Sequence, residues 1–404
     1  AAFGSGLVAR QALAGESLLS TIHINKLGLG GKMKMTFFPY ELKLRHVFTV
    51  ATYSRTTTPD VQVEIEYEGV TGYGEASMPP YLGETVESVM NFLGKVNLEQ
   101  FSDPFQLDDI LSYVDSLSPK DTAAKAAVDI ALHDLAGVIL NIPVSRMLNP
   151  NAKSIARVYD GAIYMNDIIP EDKPQGSERI LLDCADDWAM GHRMFKIKIG
   201  RGHKWMGHDE GMARDVEVVR LIHEQYPGAA IMVDANDGYS VADAIYFMQQ
   251  IEGVPLYWFE EPFLEDEARD RELHTFLDIH RPGTLIADGE NKPDIPQLLD
   301  LASKKLVDVL QPDVCGFGFT AWRKLMPVIA ERGYLASPHA WGDVVKTNYC
   351  AHLAAAWPHH IPCIEAVLGT SEGIDDSGYR LKESMLTIPD KPGFGMDLIW
   401  APEV

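Results

Sequence analysis

Short apolar runs recur at regular distances through the second half of this chain, and their spacing constrains the fold more than any other feature. Seven runs begin 22 to 36 residues apart, with amphipathic helical patterns such as 215–225 and 241–251 between them. An earlier run at 154–162 makes eight. Strand, helix and loop repeated eight times predict an α/β fold, a parallel (β/α)8, TIM-like barrel. The seven runs are 194–199, 230–233, 256–259, 285–287, 307–310, 335–337 and 363–367.

The residues before the barrel follow a different pattern. Alternating polar and apolar residues at 41–45 and 62–67, with a third short segment at 72–75, predict an antiparallel meander. Helical patterns follow at 85–96, 105–117 and 122–140. A meander followed by helices predicts a compact α+β domain. We therefore divide the chain into this domain at 33–150, the barrel at 151–370, and a C-terminal segment at 371–404 that returns to complete the first domain.

Residues 1–32 differ from both domains. They are rich in Ala, Gly, Leu and Ser, lack periodicity, and predict an N-terminal extension or linker. The four cysteines form no CxxC pair, so neither a zinc site nor a disulfide framework is indicated. A reducing, cytoplasmic location fits best, with export left open if residues 1–32 are the remainder of a leader.

The charge of the chain excludes some classes of partner. The formal net charge is −23, from 58 acidic and 35 basic residues. Binding to nucleic acid or an anionic membrane needs clustered Lys and Arg, so we expect neither partner. No apolar run approaches the roughly 20 residues that span a bilayer. An anionic small molecule stays possible where a metal or a few lysines reverse the local field.

Two lysines alternate with apolar residues in the second of the eight strands. Lys196 and Lys198 precede Gly200, and residues two apart on a strand point to the same side. Alone, this segment would be typical of an edge strand with two solvated lysines. Inside a barrel, each ammonium group raises the cost of protonating the other, so one can become a base near neutral pH.

Three carboxylates follow the next three strands. Asp234, Glu260 and Glu290 each stand where a strand ends, which is where barrel enzymes place their reacting groups. A single acidic residue there can merely cap the following helix. Three in succession beside a lysine pair instead predict a Mg²⁺ site, because Mg²⁺ prefers oxygen ligands and keeps positions for water and substrate.

The last three strands also end in polar residues. Asp313 follows the sixth strand and His339 the seventh, so they can form a carboxylate–imidazole pair that fixes the tautomer and raises basicity. Glu365 stands within the apolar eighth strand. Burial would raise the pKa of Glu365 and let it donate a hydrogen bond to a developing oxyanion.

At these positions the chain resembles the enolase superfamily, specifically its mandelate racemase subgroup. The resemblance covers about residues 36–400 and implies a capping domain over a modified barrel. It implies Mg²⁺ ligands at Asp234, Glu260 and Glu290, and Lys198 as the base on one face of the substrate. His339, paired with Asp313, would act on the other face, and Lys196 and Glu365 would support the enolate oxygens. The matching motifs are 196–198, 233–236, 259–262, 289–291, 311–313, 338–339, Glu365 and 389–395.

The first domain resembles a different branch of the same superfamily. The segments 44–46, 53–55 and 78–83 look most like the cap of dipeptide epimerases. That branch carries a lysine motif on the sixth strand and Asp-x-Asp on the eighth, where this chain has Asp313 and Glu365. The two halves therefore point to different substrate classes. The residues expected to bind substrate are Arg45, Arg55, Tyr81 and Asn236.

The barrel carries the chemistry, so it decides the expected reaction. We expect removal of the proton next to a carboxylate, most simply the dehydration of an acid sugar to a 2-keto-3-deoxy acid. Racemisation or epimerisation of a 2-hydroxy acid, or epimerisation of a dipeptide, is the alternative within the fold. A non-catalytic barrel that only binds a ligand is the alternative outside it, disfavoured because buried like charges destabilise a fold that has no use for them. The resemblance also implies a homo-oligomer.

Overall fold

The computed structural model describes residues 30–169, 176–291, 294–342, 344–367 and 374–398. Residues 1–29, and with them most of the expected extension, lie outside the described residues. The expected domain boundaries at residues 150 and 370 stay predictions.

A three-stranded antiparallel sheet and a long helix form the first domain. Strands β1 (Lys34–Thr49), β2 (Ser54–Tyr67) and β3 (Val70–Ser77) pair in chain order. Gly72 and Gly74 let β3 lie directly on a helix, because a Cβ on either would come within 2.4 Å of the helix backbone. The alanine-rich helix thus packs against the sheet at close range. The helices are α1 (Val86–Leu93), α2 (Leu107–Ser116), α3 (Thr122–Leu140) and α4 (Val144–Leu148).

Eight parallel strands form the barrel, as the spacing of apolar runs predicts. Strands β4 to β10 follow one another in the sheet in chain order, and β11 pairs with β4 on the other side. The sixth and seventh strands are only two residues long, and each is soon followed by a proline, which cannot donate to a ladder (Pro312 and Pro338). The strands are β4 (Ile155–Ile163), β5 (Met194–Lys198), β6 (Ala230–Asp234), β7 (Leu256–Glu260), β8 (Leu285–Asp288), β9 (Val309–Leu310), β10 (Leu335–Ala336) and β11 (Ile364–Ala366).

Helices connect successive barrel strands, and an additional short helix follows β5 and another follows β9. The apolar side chains of α7 and α8 pack with those of β5, β6 and β7 in one buried cluster. None of the described helices is long and apolar enough to cross a membrane. The helices are α5 (Ser177–Met190), α6 (Arg201–Lys204), α7 (His208–Gln225), α8 (Val241–Gln250), α9 (Glu267–His280), α10 (Ile295–Ser303), α11 (Val314–Phe317), α12 (Phe319–Arg332) and α13 (Val344–Ala356).

The C-terminal segment contacts both domains. Strand β14 (Met385–Thr387) runs antiparallel to β4 of the barrel, and the N–H of Phe394 donates to Asp134 Oδ1 on α3 of the first domain at 2.7 Å. The segment therefore joins the α3 helix to the N-terminal end of β4. Its other strands are β12 (Ile374–Asp375), β13 (Arg380–Lys382) and β15 (Asp397–Leu398).

Candidate active site

The register of the barrel strands brings the first group of predicted residues together. Lys198 on β5 is the register partner of Asp234 on β6, which is in turn the partner of Glu260 on β7. Lys196 lies two residues before Lys198 on the same face, and all four side chains are buried. Charged side chains at matched positions of parallel strands necessarily meet at one end of the barrel.

Three carboxylates form a compact cluster at this end. One oxygen each from Asp234, Glu260 and Glu290 lies within 4.8 Å of the other two. Glu290 Oε2 is buried and makes no hydrogen bond, although His339 Nε2 lies 3.2 Å away. Glu260 is held in place by Trp258 Nε1, which donates to its Oε2 at 3.0 Å. The cluster has the size and donor chemistry of a divalent-cation site.

The two lysines are in contact with these carboxylates. Lys196 Nζ lies 2.9 Å from Glu365 Oε1 and 3.3 Å from Asp234 Oδ2, and it also donates to Glu260. Lys198 Nζ donates to Asp234. Burial alone would raise the pKa of Asp234, but the two ammonium groups hold it below its usual range.

The charges around Lys198 correct one expectation from the sequence. Burial and the neighbouring Lys196 both lower the pKa of Lys198, as the paired lysines suggested. The carboxylates of Asp234, Glu290 and Glu365 outweigh them, so the pKa of Lys198 is raised. The lysine pair therefore does not lower the pKa of Lys198 on its own, because the fold brings to the same place carboxylates that the sequence argument left out, and Lys198 as a base stays a prediction.

The second predicted pair, His339 and Asp313, also forms. His339 Nδ1 lies 2.7 Å from Asp313 Oδ2, and His339 Nε2 faces Glu290 and lies 3.4 Å from Glu365 Oε2. Burial opposes the charged imidazolium, but the carboxylates of Glu290, Glu365 and Asp313 outweigh it and raise the pKa of His339. The ring is therefore protonated at higher pH than a free histidine, with one of its two N–H groups on the Nε2 side.

Glu365 is buried as predicted but is not kept neutral by its burial. Burial would raise its pKa, yet Lys196, His339 and Lys198 together lower the pKa of Glu365 below its usual value. The expectation of a protonated, hydrogen-bond-donating Glu365 is therefore wrong. The backbone leaves room for this carboxylate at Gly161 of β4, where a Cβ would lie 2.2 Å from Glu365 Oε1.

One buried cation beside the dyad was missed. Lys346 on α13 donates from Nζ to Asp313 Oδ2 at 2.6 Å and to the carbonyl oxygen of Trp341 at 2.8 Å. Its signal in the sequence was its isolation, since it is the one Lys, Arg, Asp or Glu in the otherwise apolar or neutral helix. A buried lysine on such a face needs an anionic partner.

The first domain contributes an aromatic cluster over the lysine side of the site. Phe48 lies 3.8 Å from Trp341 of the barrel, measured between ring centroids, and 5.9 Å from Lys198 Nζ. Arg55 stacks on Trp341, with its guanidinium carbon 4.4 Å from the ring centroid, and its buried Nε has no hydrogen-bond partner. Burial lowers the pKa of Arg55. This arginine is thus a cation held near the barrel mouth by π-stacking on Trp341.

The other expected substrate-binding residues differ in position. The hydroxyl of Tyr81 is buried without a hydrogen-bond partner; burial, then Asp313 and Glu290, raise its pKa. Asn236 donates from its backbone to Asp234 Oδ1 at 2.9 Å and from its amide to Glu261 Oε2 at 3.2 Å, so it supports the carboxylates. Arg45 is on β1, and its side chain lies outside the described residues.

The charge balance of the network fits a divalent cation. Five carboxylates outnumber the cations of this network, three lysines and a charged His339, by one, and Glu290 Oε2, which makes no hydrogen bond, offers a ligand atom. Mg²⁺ suits a set of oxygen donors with no Cys or His among them. The five acids are Asp234, Glu260, Glu290, Asp313 and Glu365, and the lysines are Lys196, Lys198 and Lys346.

Comparison with known proteins agrees with this geometry. Residues 32–149 match the model of the mandelate racemase / muconate lactonizing enzyme N-terminal domain, and residues 181–401 match that of the enolase C-terminal domain-like family. The chain belongs to the mandelate racemase/muconate lactonizing enzyme family of the enolase superfamily. The expected resemblance and the fold of a modified barrel with an N-terminal cap are thereby confirmed.

Individual relatives point to more than one reaction. The chain is 54% identical over 275 residues to an L-Ala-D/L-Glu epimerase of Bacteroides thetaiotaomicron, across 67% of this chain and 65%, just under two thirds, of that protein. A galacturonate dehydratase from Geobacillus sp., complexed with D-galacturonate and 5-keto-4-deoxy-D-galacturonate, is 28% identical with a TM-score of 0.73 over 91% of this chain and 93% of its own.

A third similar protein has a metal in its structure. A mandelate racemase/muconate lactonizing protein from Geobacillus sp. Y412MC10, complexed with magnesium and tartrate, is 26% identical with a TM-score of 0.75, over 93% of this chain and 95% of its own. This chain is thus an enzyme of the superfamily whose acidic cluster can bind a metal. The expected homo-oligomer and the cytoplasmic location stay predictions.

Proposed function

We propose that this enzyme uses Mg²⁺ to remove the proton next to a carboxylate, and that the reaction is the dehydration of an acid sugar, an aldonate or aldarate, to a 2-keto-3-deoxy acid. The observation that carries the proposal is that Lys198 contacts the first carboxylate of the Asp234–Glu260–Glu290 cluster while His339 faces the last. Two groups able to move protons therefore flank one cluster, as abstraction and return of a proton on two faces require.

The residues take distinct roles in this proposal. Bound Mg²⁺ would polarise the substrate carboxylate and offset the carboxylates that raise the pKa of Lys198. Lys198 accepts the α-proton, and Lys196 faces the charge that develops on the carboxylate oxygens. The His339 imidazolium gives its Nε2 proton to the β-hydroxyl as the C–O bond breaks, releasing water. The resulting enol then tautomerises to the keto acid.

Dehydration is supported by the acid on the second face. The raised pKa of His339 favours a proton donor, and a β-hydroxyl needs a proton in order to leave. The sixth strand ends in Gln311 and Asp313 with no lysine, unlike the pattern of dipeptide epimerases. The galacturonate dehydratase of Geobacillus is also similar along nearly the whole chain.

Epimerisation of a dipeptide is the second candidate, and a specific observation favours it. The Bacteroides relative at 54% identity is an L-Ala-D/L-Glu epimerase. Arg55 also offers a cation at the barrel mouth, which could bind a second carboxylate such as that of a glutamate side chain. In this reaction Lys198 and His339 would exchange one proton between the two faces and no bond to oxygen would break.

One incubation series separates the two reactions. The purified enzyme with Mg²⁺ is given a panel of aldonic and aldaric acids and, separately, L-Ala-L-Glu, all in D₂O. We expect a keto acid from at least one acid sugar, and no keto acid from a His339→Asn variant. Deuterium uptake without a keto acid would replace dehydration with epimerisation. No product and no deuterium uptake on any substrate would contradict α-proton abstraction itself.

A further inference from the structure

Lys346 is a buried cation beside the site that the reaction described above leaves without a role. Its side chain is 1% exposed, and it lies on α13, behind His339 as seen from the carboxylate cluster. A buried ammonium group costs several kcal/mol unless it is paired and hydrogen-bonded, so its partner explains its presence. That partner is Asp313, the residue that also binds His339.

The hydrogen bonds of Asp313 form a complete set. Its Oδ1 accepts from the backbone N–H groups of Cys315 at 2.9 Å and Gly316 at 2.7 Å, at the start of α11. Its Oδ2 accepts from Lys346 Nζ at 2.6 Å and is 2.7 Å from His339 Nδ1. With both oxygens occupied in this way, the carboxylate cannot rotate without breaking a bond. The pKa of Asp313 is held below its usual range because Lys346 and His339 outweigh the effect of burial.

The surroundings of Lys346 fit its stem and its charge. A Cβ at Gly342 would lie 2.8 Å from Lys346 Cδ, so the glycine leaves the space that the lysine stem occupies. Nζ makes its second hydrogen bond to the carbonyl oxygen of Trp341, two residues after His339. The same ammonium group therefore binds both the partner of His339 and the backbone that follows it. Glu75 on β3 of the cap adds favourable charge from the other domain.

We infer that Lys346 is a positioning residue, whose ammonium group fixes the Asp313 carboxylate and, through it, the plane and tautomer of the His339 ring. The inference rests on the proposed role of His339 in proton transfer. Without Lys346, Asp313 Oδ2 would keep only its bond to His339 Nδ1, so the carboxylate could turn about the bonds of Oδ1 and Nε2 would lose its direction toward Glu290 and the substrate. Groups that orient a functional histidine from behind typically change activity by roughly 10- to 100-fold.

The test compares the two faces of one substrate. Lys346→Met removes the charge, Lys346→Arg keeps it, and Lys125→Met is the matched control, since Lys125 is a partly buried lysine that donates to a backbone carbonyl in the cap. We expect Lys346→Met to lower the step that depends on His339, which is water loss from an acid sugar or α-proton exchange on the His339 face of an epimerised substrate, by roughly 10- to 100-fold. Exchange on the Lys198 face and Mg²⁺ affinity by calorimetry should stay at the level of the control, and Lys346→Arg should recover part of the loss. An equal loss on both faces, or no loss, would overturn the inference.

A second readout does not depend on the substrate. In ¹⁵N-histidine-labelled, Mg²⁺-loaded enzyme, the Nδ1 proton shared with Asp313 should give a downfield resonance, assigned by its loss in His339→Asn. Lys346→Met should broaden or remove it, and an unchanged resonance would count against Lys346 as a positioning residue. This readout stays valid if the wild-type enzyme acts on no carboxylate, which would contradict only the proposed function. Lys346→Gln gives the same comparison should the methionine variant not fold.

Discussion

The barrel side and the cap side of the site are held together by different forces. On the barrel, carboxylates and lysines from successive strands contact one another directly, as Lys196 does with Glu365 at 2.9 Å. On the cap, Phe48 and Arg55 reach the site through aromatic stacking on Trp341, and the Tyr81 hydroxyl has no hydrogen-bond partner. The barrel groups are thus preorganised by charge, while the polar cap groups are left with unused hydrogen-bonding capacity.

This difference suggests a division of tasks. Groups fixed by strong charge pairs change the rate of the chemical step, because they act in the transition state. Groups with a free donor are available to bind whichever substrate enters, and their removal should change affinity more than rate. Variants on the two sides should therefore separate kcat from KM.

The largest effect should come from the carboxylate cluster. Asp234→Asn removes a charge that Lys198 and Lys196 both contact, and it should abolish Mg²⁺ binding. A lost metal withdraws several kcal/mol of stabilisation, so kcat should fall on the order of 1,000-fold or more. Calorimetry and steady-state kinetics measure the two effects, with Asp209→Asn on the exposed surface as control. Mg²⁺ binding at wild-type affinity would remove Asp234 from the proposed ligand set.

Substitution of the two proton-transfer groups should have the next largest effect on turnover, and each substitution should remove proton exchange on a different face of the substrate. Lys198→Ala and His339→Asn should each lower turnover by roughly 100- to 10,000-fold, the usual contribution of a general acid or base. Deuterium exchange at the α-carbon, followed by NMR for each stereoisomer, should persist on the face whose residue is intact. If Lys198→Ala left exchange active on both faces, the assignment of Lys198 to one face would be wrong.

The same contrast explains which parts were predictable from sequence. Residues such as Glu260 stand where a strand ends, and the regular spacing of the strands is enough to predict that they meet at one end of a parallel barrel. Lys346 belongs to a helix, where no periodic rule points a lysine at Asp313, so only its isolation among neutral residues marked it. The pKa values of Lys198 and Glu365 were expected in the wrong direction, because each depends on all neighbouring charges together and sequence order supplies only some of them.

On the cap side, Arg55→Met should change affinity for substrate. A hydrogen bond from this charged donor to the substrate would contribute about 1.5–3 kcal/mol, so KM should rise on the order of 10- to 100-fold while kcat stays close to the wild-type value. Arg193→Met is the matched control, since Arg193 stacks on Trp188 at 4.0 Å near the start of β5, at the opposite end of the barrel. A fall in kcat as large as the rise in KM would mean that Arg55 acts in the chemical step like the barrel groups, which would contradict the proposed difference between the two sides.

Tyr81→Phe should give a smaller change on the same side. The hydroxyl is buried without a partner, so its removal should leave the free energy of unfolding unchanged or slightly increased. If the substrate supplies the missing partner, KM should rise about fivefold, which corresponds to a hydrogen bond of about 1 kcal/mol. Urea unfolding and steady-state kinetics measure both. A loss of stability with an unchanged KM would mean that the hydroxyl serves the fold and not the substrate.

The smallest effect on activity, and a clear one on stability, should come from His352 behind the site. Its Nδ1 accepts from the N–H of Ser145 at 2.9 Å, so the proton is on Nε2, which lies 2.9 Å from the hydroxyl of Tyr379 in the C-terminal segment. Burial lowers the pKa of His352 from 6.5 to about 3. Since the unfolded chain takes up this proton first, stability is fully present above pH 6.5 and falls as the pH drops toward about 3.

His352→Gln tests this junction without disturbing its hydrogen bonds, since an amide can accept from Ser145 and donate to Tyr379 but does not titrate. Urea unfolding of both proteins between pH 7 and about 5 should give a wild-type curve that loses up to about 1.4 kcal/mol per pH unit relative to the variant. The quantity to compare is the difference in free energy of unfolding between the two proteins at each pH. Burial raises the pKa of Asp134 to about 7, so its protonation stabilises both proteins as the pH falls, and this contribution cancels in the difference. Parallel curves would show that the cap and the barrel are joined by contacts that do not depend on a neutral His352. If wild-type stability falls more steeply with decreasing pH than that of the variant while kcat is the same in both, the neutral His352 stabilises the fold and takes no part in the chemical step.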